Sequence, residues 1–282
     1  MTSTSQPAAA IALPPPVAEH RSGFGSLLRA EWTKIRSVRS TPWTLIIFAV
    51  VSLGLTGLLT WLTLQSLNNG RNGARDSGIL TDPVNFILGT GLGLGQLAIC
   101  VLGVLVITSE YSSGTIRASL LAMPRRYPML IAKGLVFSAL VFVIGEAVAF
   151  GSFFIGAAIV HSHFSVSLSQ PNVTRAVIGS GLYLTVLGLF ALAIGSLIRH
   201  TAGAVTTVIG LVLVIFNLTG LLPSSWGAHI HAYMPTVAGL LITQDKEQAG
   251  QLLSAWQGFG VFCAWTALLL IVGGYLLQRR DA

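Results

Sequence analysis

Glu110-Tyr-Ser-Ser-Gly-Thr-Ile-Arg-Ala-Ser-Leu-Leu-Ala-Met-Pro-Arg-Arg-Tyr-Pro128 is a short basic segment, punctuated by Gly114, Pro124 and Pro128 and wedged between two long apolar runs. Runs of that length on both sides make the segment a loop at a membrane surface. Arg117, Arg125 and Arg126 put that surface on the cytoplasmic side, because basic loops resist translocation. Ser112 or Ser113 can cap a short helix here, and Pro124 ends it. Ile116, Leu120 and Leu121 give that helix an apolar side, and Arg117 gives it a charged one. Two readings stay open: a loop that only sets topology, or a helix that docks on a cytoplasmic partner.

The rest of the chain fits a membrane protein. Of its 282 residues, 53% are hydrophobic and only 9% are charged, against about 25% charged in soluble domains. Its mean hydropathy is +0.77. Six apolar segments follow: Trp43 to Leu64, about Val84 to Ser109, about Leu135 to Val160, about Thr174 to Ile198, about Gly203 to Leu222, and about Ser254 to Leu277. The first has 22 residues, or about 33 Å at the helical rise, enough to cross the hydrocarbon. The fold class expected is all-α and membrane-integral, with residues 1–22 as a Pro/Ala-rich disordered tail and 23–282 as one six-span domain.

Six spans put both ends on one side. That side holds Arg21, Arg29, Lys34, Arg36, Arg39, Arg117, Arg125, Arg126, Lys133, Arg199, Arg279 and Arg280, 12 of the 16 basic residues. The other holds Arg71, Arg75, Arg175 and Lys246, the remaining 4. The asymmetry places both termini in the cytoplasm. It also explains the net charge of +7 without nucleic acid as a partner, because the cations sort by membrane side.

Phe24 to Arg39 reads as an interfacial helix. Phe24, Leu27, Leu28, Trp32 and Ile35 share one face, while Arg29, Lys34 and Arg36 fall elsewhere. Thr41-Pro42 is expected to break it before the first span. Glu146 is the one carboxylate deep inside a span; it either faces a translocation path or hydrogen-bonds between helices. Lys133 reads as a snorkelling anchor, or else as a contact to the partner. His161/His163 and His229/His231 fit a metal only weakly, since no carboxylate or Cys stands at ligand spacing; polar interfacial residues are the simpler reading. Gly89/Gly93 and Gly91/Gly95 have small-xxx-small spacing for helix packing. No phosphate-binding loop motif and no nucleophile–base pair occurs, so no metal, cofactor or catalytic residue is assigned to the chain.

Glu110-Tyr111, Ser113-Gly114-Thr115-Ile116-Arg117, Pro124-Arg125 and Lys133, with the opening Glu31-Trp32-Thr33-Lys34-Ile35-Arg36-Ser37, resemble the signature of ABC-2 type permeases. These are membrane subunits of bacterial ATP-binding-cassette exporters. The resemblance implies a coupling helix resting on a separate ATP-binding subunit, carried by Ser113, Gly114, Thr115, Ile116, Arg117, Leu120, Leu121, Pro124 and Arg125. It implies an amphipathic elbow helix carrying Leu28, Glu31, Trp32, Lys34 and Arg36, and small extracellular helical elements after the fifth span. ATP and Mg would sit on the partner, in two copies, and a second permease half would complete the pathway in the bacterial cell membrane. An ion-coupled secondary transporter using Glu146, or an anchor subunit that moves nothing, are the rival expectations.

Overall fold

The computed structural model describes residues 23–69, 78–112 and 126–280, and all regular structure among them is helical. The elements are α1 (Phe24–Ser37), α2 (Ser40–Asn68), α3 (Pro83–Ser112), α4 (Arg126–Val160) and α5 (Val173–Ile198). They continue with α6 (Thr201–Leu221), α7 (Ser224–Ala232), α8 (Pro235–Leu240, extended by a tight turn over Leu241–Thr243) and α9 (Ala255–Arg280). Six of these, α2 to α6 and α9, are long and apolar enough to cross a membrane. The chain is therefore an all-α, multi-pass membrane protein.

The boundaries differ from those expected in an instructive way. The break between α1 and α2 falls at Val38, whose backbone is extended, rather than at Thr41-Pro42. Pro42 lies in the first turn of α2, where its missing N–H leaves no internal bond unmade. α3 runs to Ser112 and α4 begins at Arg126, so both helices extend beyond their hydrocarbon-length windows. Hydropathy reports where apolar side chains stop, not where the backbone stops being helical.

α5 is the central helix. Its apolar window is 72% buried, against 22% for α2, α6 and α9. It crosses α3 at Gly103, where an added Cβ would meet the Gly188 carbonyl oxygen and Ala191. A buried polar pair fixes the same two helices in register: Tyr183 donates its hydroxyl proton to Gln96 Oε1 at 2.7 Å. On the other side of α3, Gly91 faces Thr56 and Ser152, and Gly95 faces Ser52 and Phe48. That pair packs α2, α3 and α4 together, as small-residue seams do. A Cβ on Gly89 or Gly93 meets nothing within 4 Å, so the identical spacing on the next face has no internal partner.

α6 is not a uniform helix. Gly210–Ile215 widens into π-helical turns between the α-helical starts at Thr201 and Phe216. Asn217 donates its amide to the carbonyls of Val212 and Leu213 at 2.9 and 3.1 Å. The turn from α5 to α6 is made by Arg199, at φ 60°, and His200, whose Nδ1 accepts from the Gly203 N–H.

Candidate functional site

The last turn of α3 ends one residue before position 113, and three helices meet there. Glu110 there, Glu31 and Lys34 from α1, and Lys133 from α4 form one charge cluster. Lys133 Nζ donates to Glu31 Oε2 at 2.6 Å and to Glu110 Oε1 at 2.7 Å. Lys34 Nζ donates to Glu31 Oε1 at 2.8 Å and to Glu110 Oε1 at 3.2 Å. Glu31, Glu110 and Lys133 are buried, and the Lys34 side chain is 40% exposed at the edge. Two carboxylates and two ammoniums balance, which is the condition for burying charge at all.

The electrostatics follow from that pairing. Burial pushes the Glu31 carboxyl upward, but Lys133, by charge and hydrogen bond, and Lys34 outweigh it and hold Glu31 below its ordinary value. Burial lowers Lys34, and the Glu31 and Glu110 carboxylates outweigh that and hold it above its ordinary value. Lys133 does not snorkel. Its ammonium is taken inward by Glu31 and Glu110, because a four-carbon stem near a helix end reaches a carboxylate as readily as a headgroup.

Tyr111, next to Glu110, is held on another side. The Arg199 guanidinium lies 5.1 Å from its ring centre, a cation–π contact. Arg199 also donates to the Leu276 carbonyl of α9 at 3.4 Å. The end of α3 is thus tied to α1 and α4 through Glu110, and to the α5–α6 turn and α9 through Tyr111.

The residues expected to form the coupling helix, Ser113, Gly114, Thr115, Ile116, Arg117, Leu120, Leu121, Pro124 and Arg125, lie outside the described residues, as does the tail. Of the elbow set, Leu28, Glu31, Trp32, Lys34 and Arg36 all fall on α1. Glu31 and Lys34 face the cluster, Leu28 packs against the core, and Trp32 is exposed. Glu146 is remote from this end. Its carboxyl lies over Gly181 of α5, and neither oxygen has a hydrogen-bond partner among the described residues.

The opposite end of the bundle has its own ties. Lys246 donates to the Thr81 carbonyl at 2.9 Å, and Arg175 to the Gln244 carbonyl at 2.8 Å. Asp82 accepts the Asn85 N–H and so caps α3. Asp245 beside it is pushed up to about 6, by burial first and then by the Asp82 carboxylate, with Lys246 opposing. His229 and His231 ride on α7, where an i, i+2 spacing points them apart. His163 bonds Asn68 and Ser162, and no metal-ligating group of three occurs among the described residues.

Sequence reasoning named all four cluster residues but not the cluster. A signal was present: apart from Glu19 and Asp281 near the termini, Glu31 and Glu110 are the only carboxylates on the side that carries 12 cations. No curated protein matches the chain. Residues 30–282 match the family model described as "ABC-2 family transporter protein", a stretch that takes in the whole charge cluster, and the chain belongs to the ABC-2 transporter family.

Proposed function

We propose that the chain is one permease half of an ATP-driven exporter, coupled to a separate ATP-binding subunit through residues 113–125. The observation that carries this is the double tie on the last turn of α3. Glu110 and Tyr111 stand just ahead of that segment, and Lys133 stands eight residues after it. A push on residues 113–125 therefore reaches α1, α3, α4 and the α5–α6 turn together. Two copies of the ATP-binding subunit hold ATP and Mg, and this chain holds neither. Both termini are cytoplasmic in a bacterial plasma membrane, which accords with the cluster, Arg199 and the end of α9 sharing one end of the bundle.

A second permease half completes the pathway. The exposed apolar residues of α2 (Trp43, Ile46, Ile47 and Val50) and of α6 (Leu213, Val214, Ile215 and Leu218) supply surface for it and for lipid. The nearly uncharged spans suit an amphiphilic cargo. The deciding experiment is co-expression with a candidate ATP-binding-cassette subunit. Gly114→Trp or Arg117→Glu is expected to abolish co-purification or substrate-stimulated ATP hydrolysis. An ATPase that still co-purifies with both variants and is still stimulated overturns the coupling role.

A further inference from the structure

We propose that Asp82 and Asp245 hold one proton between them, and that this proton latches the loop over residues 244–254 to the start of α3. Asp82 caps α3, with Oδ1 accepting the Asn85 N–H at 3.1 Å, and Asp245 stands in the loop that joins α8 to α9. Asp82 is 8% exposed and Asp245 6%. The two carboxyl groups lie within hydrogen-bonding reach of each other. Asp82 Oδ2 and Asp245 Oδ1 are closed to water, and neither has a donor among the described residues. No cation forms an ion pair with either: all the ion pairs among the described residues belong to the cluster at the other end. Lys246 donates to the Thr81 carbonyl and Arg175 of α5 to the Gln244 carbonyl, while Glu247 is exposed to solvent.

Two neighbouring carboxylates that are buried without an ion-paired cation do not both stay ionised. The gap between them is too tight for water, and a proton needs no room. One proton turns the repulsion into an O–H···O⁻ hydrogen bond, the strong charge-assisted kind. Burial and the Asp82 carboxylate raise Asp245 from 3.8 to about 6, with Lys246 opposing. A folded value above the ordinary one means that the bond is present at low pH and lost as pH rises through about 6, when the proton leaves to bulk water. The loop then keeps its Arg175 and Lys246 bonds but gains a repulsion. That loop is one wall of a cavity of about 540 Å³: Gln248, Gln251 and Leu252 stand on it, and His229 and His231 of α7 and Val237 of α8 face them. Proton release therefore loosens one wall of this cavity.

The latch stands whether or not the chain is an exporter and is tested apart from that reading. The full chain is purified in mild detergent, and amide hydrogen exchange is followed by mass spectrometry at pH 5 and pH 7.5, with protection corrected for the intrinsic pH dependence of exchange. Protection of residues 244–254 is expected to fall about tenfold between the two, as a folded value of about 6 against an ordinary 3.8 gives. Asp245→Asn supplies an N–H donor to Asp82 at every pH and should remove the fall. Asp82→Asn keeps an oxygen for the Asn85 cap, donates to Asp245 and should do the same. Protection that does not change with pH in the parent overturns the proposal. So does an undiminished fall in either variant, which would place the titration on His229 or His231. If neither variant folds, a His229→Asn/His231→Asn double variant decides: the fall persists if the acid pair carries it, and its loss overturns the latch.

Discussion

Lys133→Met is the sharpest perturbation of the charge cluster. It keeps the stem and deletes an ammonium that sits 2.6 Å from Glu31 Oε2 and 2.7 Å from Glu110 Oε1. Lys34 then remains as the one cation of the cluster for two carboxylates, and it is 40% exposed. Removing one partner of a buried ion pair costs about 3–5 kcal/mol. The escape route sets an independent ceiling. Glu31 can take up a proton, and for a carboxyl with an ordinary value near 4.3 this costs about 4 kcal/mol at pH 7 but only about 1 kcal/mol at pH 5. In the parent, Glu31 is held low, so its contribution is present above the ordinary carboxylate value and fades as pH falls through its depressed one. In the variant the carboxyl is raised, so the variant recovers as pH falls. The gap between parent and variant should shrink from about 4 to about 1 kcal/mol between pH 7 and pH 5. In thermal unfolding of the detergent-solubilised chain, followed by the monodisperse fraction, that is roughly 10 °C at pH 7 and about 3 °C at pH 5. A shift under about 2 °C at pH 7, or the same shift at both pH values, refutes the reasoning.

Gly103→Ala should lower folded stability by about 1–3 kcal/mol, because its Cβ meets the Gly188 carbonyl and Ala191, which cannot swing aside. Gly93→Ala, with open space at that point, should be neutral or up to about 1 kcal/mol stabilising; unfolding temperatures in one detergent separate the two. Asp245→Asn should stabilise the chain at pH 7.5 and not at pH 4. The folded carboxyl is raised to about 6, so the folded state binds the extra proton and stability falls as pH rises from about 4 to about 6, by at most ~3 kcal/mol. A pH series of unfolding temperatures for parent and variant checks the sign.

The spans were legible because hydrocarbon demands an unbroken apolar run, and the sequence supplies six. The ends were not, because helices α3 and α4 continue past the apolar window. The π-helical turns of α6 arise in Gly-Leu-Val-Leu-Val-Ile, a run with no polar residue to mark them. Gly91/Gly95 and Gly89/Gly93 share one spacing, and only the three-dimensional arrangement tells which pair faces Ser52, Thr56 and Ser152. The cluster was hidden for a similar reason. Three of its four bonds join residues 23, 76 and 102 positions apart, a separation at which no local pattern operates; only Lys34–Glu31 is a local i,i+3 pair. Two members had an adequate local explanation: a charged face of a surface helix for Lys34, an anchor for Lys133.

What the cluster does is constrained by how poorly its helix serves it. Glu110 lies in the last turn of α3, where the helix dipole disfavours an anion by about 0.3–1 kcal/mol. Nothing within α3 compensates, so the charge at that position is tolerated only while Lys34 and Lys133 are in place. Apolar packing would hold the same three helices as firmly, since replacing buried ion pairs by well-packed hydrophobes is often neutral or stabilising. Apolar contacts, however, tolerate sliding. A slip of one helical turn, about 5.4 Å, would leave leucines still touching leucines but would separate Lys133 from Glu31 and Glu110 altogether. Ionic contacts of 2.6 and 2.7 Å therefore make the junction of α1, α3 and α4 discrete, either engaged or broken. Under the coupling proposed above, a junction of this kind would pass on a partner's motion as a step instead of absorbing it as a bend.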